Sequence, residues 1–205
     1  APFARISISN ENKEKIKWLK KMSVKQVFTE LEDANIITDD DLTIDAIAES
    51  LGEKEEQAVA EAIDRIKKID FRKIPPKSDC KVRGFYISRK VLDFFADISA
   101  DKLAALYKDK DPFARAKIIR AAGELCDIQS VRNMLTAALD DKAVCEQSGP
   151  EIAGWPLRVC DLAYNQLVLN LNAEGVLRTI GTGLNIDDRD YHINILKEKL
   201  KNPQK

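Results

Sequence analysis

The residue types that most often carry out catalysis are sparse in this sequence. There is one histidine, His192, so metal sites built from histidine pairs are excluded. No nucleophile stands at a spacing that would pair it with His192, and a position on a helix surface is its simplest interpretation. Gly181-Thr182-Gly183 is too short for a phosphate-binding loop. We therefore expect no catalytic residue, no bound metal and no cofactor, and a protein that is not an enzyme.

The four cysteines, Cys80, Cys126, Cys145 and Cys160, lie far apart. Zinc sites and redox dithiols usually contain a close-spaced pair, so neither is expected. Cys126 and Cys160 fall within or beside helical patterns and are predicted to be small core residues. Cys80 and Cys145 are predicted to lie in loops, either free or paired. The start at Ala1 fits a trimmed chain or a mature exported protein, while the unpatterned cysteines favour the cytoplasm over export.

The charge balance bears on the class of partner. The 205 residues include 33 basic and 34 acidic ones, whereas nucleic-acid binders usually carry a basic excess or a dense basic face. Many charged and apolar residues with few Gly and Pro predict a folded, mostly helical protein. No apolar run approaches the ~20 residues needed to cross a bilayer. Nucleic acid is therefore not the favoured partner, and no membrane span is expected.

Apolar residues recur at three- and four-residue steps along most of the chain, which predicts amphipathic helices. The clearest patterns lie in residues 24–34, 42–51, 53–69, 118–125 and 131–139. Asp111-Pro112 predicts a helix start with Pro in the first turn. Ser88 and Ser99 are predicted to be the N-caps of two short helices. A final hairpin is predicted from helices at 174–184 and 187–200, with Tyr191 facing inward.

The segment from Arg72 to Gly84 interrupts the helical pattern, since Pro75-Pro76 is stiff and extended. It either divides an N-terminal helical region, residues 1–84, from a repeat region, residues 85–205, or is a long loop within one continuous solenoid. We favour the loop, because neither half alone has a large core.

Within residues 99–171 one helical-hairpin pattern occurs twice. Leu106–Leu125 contains Asp111-Pro112 and Arg115, and Leu135–Leu167 contains Asp140 and Pro156-Leu157-Arg158. Both resemble HEAT repeats, the second with an insertion from Asp140 to Trp155. The resemblance implies an all-α, right-handed α-α superhelix of HEAT-like hairpins with about ten helices. It also implies a ladder of hydrogen bonds between successive repeats, whose members would be Asp111, Arg115, Asp140 and Arg158.

The insertion carries the most distinctive residue, Trp155, between Gly154 and Pro156. Aromatic residues in loops often become interface anchors, but Trp155 would equally fill a gap between hairpins, and both interpretations stay open. If the loop faces outward, Trp155, Cys145 and Glu146 are candidate contacts for a partner. The candidates for the concave surface are Arg120, Tyr164 and Gln166.

A solenoid builds an extended surface because every hairpin adds area at nearly the same angle. We therefore expect a non-enzymatic binding module or scaffold that recognises a protein partner through its concave face and the 140–156 loop. The alternatives are a HEAT-type enzyme, lyase or glycosylase-like, with its site in a groove, and a nucleic-acid-binding protein.

Overall fold

The computed structural model describes residues 10–32, 50–69, 83–109, 111–146, 154–171 and 175–201. These residues are mostly helical with one small two-stranded sheet, which confirms the all-α class. Two compact units are formed by Ala1–Phe95 and Ala96–Lys205, so the division falls later in the chain than residue 84. Cys80, nearly all of the predicted helix at 42–51 and most of the break at 72–84 lie outside the described residues.

The first unit contains four described helices and a 3-10 turn. Their bounds are α1 (Asn10–Lys20), α2 (Val24–Glu32), the turn Gly52–Lys54, α3 (Glu55–Lys68) and α4 (Arg83–Phe94). Helix α4 packs against both α2 and α3. Ser23 caps α2, since its hydroxyl accepts from the Gln26 amide at 3.3 Å and the Gln26 side chain accepts from the Ser23 amide at 3.1 Å. The predicted apolar stripes of α2 and α3 are buried, which confirms them.

The part of the second unit that the structure describes contains five helices and the sheet. They are α5 (Ala96–Leu106), α6 (Pro112–Ala122), a 3-10 turn (Gly123–Leu125), α7 (Gln129–Ala138), β1 (Val144–Glu146), β2 (Leu157–Arg158), α8 (Val159–Leu171) and α9 (Ile186–Lys201). Helix α5 contacts α6 and α7, and α8 contacts α6, α7 and α9. The strands are antiparallel, with Val144 opposite Arg158. As predicted, Asp111 caps α6: its carboxylate accepts from the Phe113 amide at 3.0 Å, and Pro112 is the first helical residue.

Several local predictions were wrong. Ser88 and Ser99 are not N-caps but buried residues inside α4 and α5, because both helices begin earlier than their serines suggested. The predicted helix at 174–184 is not present in its described part, where Gly175 has φ +68°. Tyr191 is 64% exposed, since α9 turns Arg189, Ile193 and Leu196 inward instead.

In the described part of the chain, no helix is both long enough and apolar enough to span a membrane.

Candidate functional site

The Trp155 segment, residues 154–158, contains β2, continues into α8 and carries an exposed aromatic side chain on a fixed backbone. Trp155 is 49% exposed, so its side chain is not buried as a gap-filling residue would be. Its amide donates to the Thr182 carbonyl at 2.9 Å. A Cβ at Gly154 would lie 3.0 Å from the same carbonyl oxygen, a tighter contact than side chains usually make, so this close approach favours glycine. The segment therefore presents Trp155 to solvent without leaving its backbone free.

The terminal segment, residues 175–185, is held against α8 by side chains that bind its main chain. Tyr164 Oη donates to the Leu177 carbonyl at 2.6 Å. The Asn165 amide group forms a reciprocal pair with Ile180: Nδ2 donates to the carbonyl and Oδ1 accepts from the amide, each at 2.8 Å. The Ile180 side chain is buried. These bonds satisfy the Leu177 carbonyl and both main-chain groups of Ile180 without the helix that the sequence led us to expect.

A buried charge network connects both segments to helices α8 and α9. Asp161 is fully buried and accepts from Arg158 Nη2 at 2.9 Å, from the Arg158 amide at 3.0 Å and from Arg189 Nη1 at 2.6 Å. Arg189, also fully buried, donates further to the carbonyls of Pro156 and Leu184, both at 2.9 Å. A buried charge persists only when it is paired and hydrogen-bonded, as Asp161 is here. Arg189 thus contacts the Trp155 segment, the terminal segment and α8 at once.

The outer part of this network is centred on Asp190. Its carboxylate pairs with Arg158 at 2.8 Å and with Lys142 at 2.7 Å. Burial acts to raise the pKa of Asp190, but the hydrogen bonds from Lys142 and Arg158 outweigh it and the pKa is lowered. The carboxylate is therefore ionised near neutral pH and holds the N-terminal half of α9 against the loop before β1.

The predicted ladder residues have partners outside the predicted set. Arg115 forms a bidentate pair with Asp141, at 2.6 and 3.1 Å. Asp140 pairs with Lys197 of α9 at 2.5 Å, and Asp111 caps α6. The physical reason is turn geometry: Asp141 also accepts from the Ala143 amide two residues on, which aims its carboxylate toward α6. Arg158, the fourth predicted member, belongs to the buried network described above.

Two of the predicted partner contacts were also wrong, because their side chains are interior. Cys145 is buried on β1, and its thiol lies 3.4 Å from the Leu157 carbonyl. Burial raises the pKa of Cys145 to about 12, so the thiol stays protonated and is not a nucleophile. Tyr164 is fully buried, with its hydroxyl committed to the terminal segment. Cys126, Cys145 and Cys160 are free and buried, which confirms the core placement of Cys126 and Cys160.

The other candidate contacts stay partly exposed. Arg120 of α6 pairs with Glu146 of β1 at 2.5 Å, with 21% and 29% of the two side chains exposed. Gln166 of α8 lies against Gly123, where a Cβ would overlap its side-chain oxygen. Arg120 lies on α6, Glu146 on β1 and Gln166 on α8. Helix α6 contacts both β1 and α8, so the three residues lie on adjoining elements.

Arg189 and Asn165 were not identified from the sequence. The signal for Arg189 was its spacing of four residues from Ile193 and seven from Leu196, which puts a cation on the apolar face of α9. His192, on the same helix, is half-buried and packs edge-on against Tyr191 at 5.5 Å between ring centroids. Among the described residues, no group of three or more His, Cys, Asp or Glu side chains is placed to hold a metal ion.

Comparison with known family models, curated proteins and solved structures gave no match to this chain.

Proposed function

We propose that the second unit is a non-enzymatic helical-repeat module that binds a protein partner. Its surface would consist of Trp155 together with Arg120, Glu146 and Gln166. The packing supports stacked HEAT-like hairpins, since α5 lies against α7 and α6 against α8, one hairpin beside the next. A right-handed superhelix is the arrangement that would extend this row.

The observation that carries the proposal is the combination of an exposed Trp155 side chain with a fixed backbone. Trp155 donates to Thr182, and the next carbonyl, that of Pro156, accepts from Arg189. Tryptophan is among the residues most enriched at interface hot spots, because it buries a large area. A backbone already held in place lowers the ordering cost of binding.

The test is affinity capture from a lysate on the immobilised full chain, followed by affinity measurement with the purified partner. Wild type is compared with Trp155→Ala and with Trp18→Ala, a matched control because Trp18 is 45% exposed in the first unit. Truncating a hot spot costs about 2 kcal/mol or more, so Trp155→Ala should weaken Kd roughly 30-fold. Trp18→Ala should leave Kd within about twofold.

Circular dichroism must show that both variants are folded. A partner bound equally by wild type and Trp155→Ala, or no protein bound specifically by wild type, would contradict the proposal.

A further inference from the structure

We infer that α9 is a latch for the Trp155 segment, so that recognition at Trp155 depends on whether this helix is docked. The inference rests on the proposed function and concerns its regulation. The coupling residue is Arg189, which acts on Trp155 through hydrogen bonds to the main chain rather than by contact with a partner.

The docking of α9 depends strongly on ion pairs. Three acidic or basic residues of α9 pair with the chain between residues 140 and 161: Arg189 with Asp161, Asp190 with Arg158 and Lys142, and Lys197 with Asp140. Its buried apolar side chains are Ile193 and Leu196, a small set for a helix of 16 residues. Helix α8, by contrast, buries a continuous set of apolar side chains against α6 and α7.

The outer ion pairs, Asp190 with Lys142 and Lys197 with Asp140, are exposed enough for salt to screen them. The side chain of Asp140 is 79% exposed and that of Lys142 is 66% exposed. The screening length falls from about 10 Å at 0.1 M salt to about 3 Å at 1 M, which weakens exposed pairs far more than buried ones. Because its apolar contribution is small, α9 should open at a lower free energy than the α6–α8 core.

Undocking α9 would act directly on Trp155. Arg189 Nη1 leaves the Pro156 carbonyl, and Arg189 Nε leaves the Leu184 carbonyl. The terminal segment, released at Leu184, carries Thr182, whose carbonyl accepts from the Trp155 amide. The bond at Pro156 therefore depends on α9 directly. The bond from the Trp155 amide to Thr182 depends on α9 only through Leu184, because Asn165 of α8 continues to hold Ile180.

The test uses the fluorescence of Trp155 to report the exposure of its own side chain. The chain has two tryptophans, so a Trp18→Phe background leaves Trp155 as the single fluorophore. In this background Arg189→Lys keeps a cation for Asp161 but cannot supply the bonds to both carbonyls. Arg178→Lys, at an exposed position of the terminal segment, is the matched control.

Acrylamide quenching of Trp155 should rise by up to roughly twofold in Arg189→Lys, since 49% of the side chain is already exposed. Arg178→Lys should match the background protein. In 1 M NaCl the background protein should show a smaller rise, because salt weakens the outer pairs and not the buried Arg189–Asp161 pair. Hydrogen exchange should quicken in α9 while α6 and α8 stay protected. If Arg189→Lys does not fold, Asp190→Asn breaks the outer pairs instead and is measured in the same way.

Quenching that is unchanged in the variant and in high salt, or exchange of α9 at the same rate as α6 and α8, would overturn the latch. These readouts require no partner. A failed latch therefore leaves the proposed function standing. A failed capture experiment leaves the coupling between α9 and the exposure of Trp155 standing but removes its role in recognition.

Discussion

Asp161→Asn tests the buried network most directly. The substitution preserves shape and one acceptor oxygen but removes the negative charge that Arg189 faces at 2.6 Å. Both side chains are fully buried, so solvent does not screen the loss. Removing one partner of a buried pair costs about 3–5 kcal/mol, because the other charge stays buried without compensation. This is a large part of the ~5–15 kcal/mol that stabilises an ordinary domain.

The assay is urea unfolding followed by circular dichroism. The free energy of unfolding should fall by about 3–5 kcal/mol, with the denaturation midpoint lowered and the m-value unchanged. Asp127→Asn is the matched control: Asp127 is 90% exposed and 3.5 Å from Arg132, so its loss should cost less than about 1 kcal/mol.

A double variant, Asp161→Asn with Arg189→Met, should recover part of the loss, since no unpaired buried cation remains. A loss below about 1 kcal/mol for Asp161→Asn alone would show that the network does not hold the unit together.

Three further predictions concern acid, thiol reactivity and close packing. The pKa of Asp190 is lower in the folded chain than in the unfolded chain. The stability that its ion pairs contribute is therefore complete above the unfolded pKa of about 3.9 and is lost as pH falls through the lower folded value. Between pH 6 and 2.5 the melting temperature of Asp190→Asn should fall less than that of wild type. The buried Cys145 thiol should resist iodoacetamide at pH 8 until urea unfolds the unit, and rapid labelling of its peptide in mass spectrometry would contradict the burial. Gly123→Ala places a Cβ against the end of the Gln166 side chain and should displace that side chain. Because the end of a flexible, partly exposed side chain moves easily, the free energy of unfolding should stay within about 1 kcal/mol of that of Gly52→Ala, which has nothing within 4 Å of its Cβ; a crystal structure of Gly123→Ala with Gln166 unmoved would refute the close approach.

The helices were predictable where a single local pattern determined them. The stripe from Ala58 to Ile66 repeats with the helical period, and those residues are buried in α3. Asp111-Pro112 combines an N-cap residue with a Pro in the first helical turn, and in the structure these residues occupy those positions at the start of α6. Ser88 and Ser99 misled because a serine is compatible with a cap and with a buried helix interior. The two cases are distinguished by where the helix begins, at the serine or several residues before it.

The candidate site was less predictable, because its members are chosen by partners far along the chain. Asp140 and Asp141 are identical neighbours, and only the turn before β1 decides which of them faces Arg115. Tyr164 fits an exposed helix position in the sequence. In the structure the terminal segment covers Tyr164, and no residue near Tyr164 in the sequence indicates that contact.

The sequence by itself determined the all-α class, most of the helix positions and the apolar stripes, because the helical period is expressed over a few consecutive residues. The tertiary structure decided that Trp155 is exposed, that Cys145 and Tyr164 are interior, and that residues 175–185 bind α8 without forming a helix. It also decided that Arg189 enters the core, because the carboxylate that makes this burial tolerable lies 28 residues earlier and meets it only when α9 docks on α8.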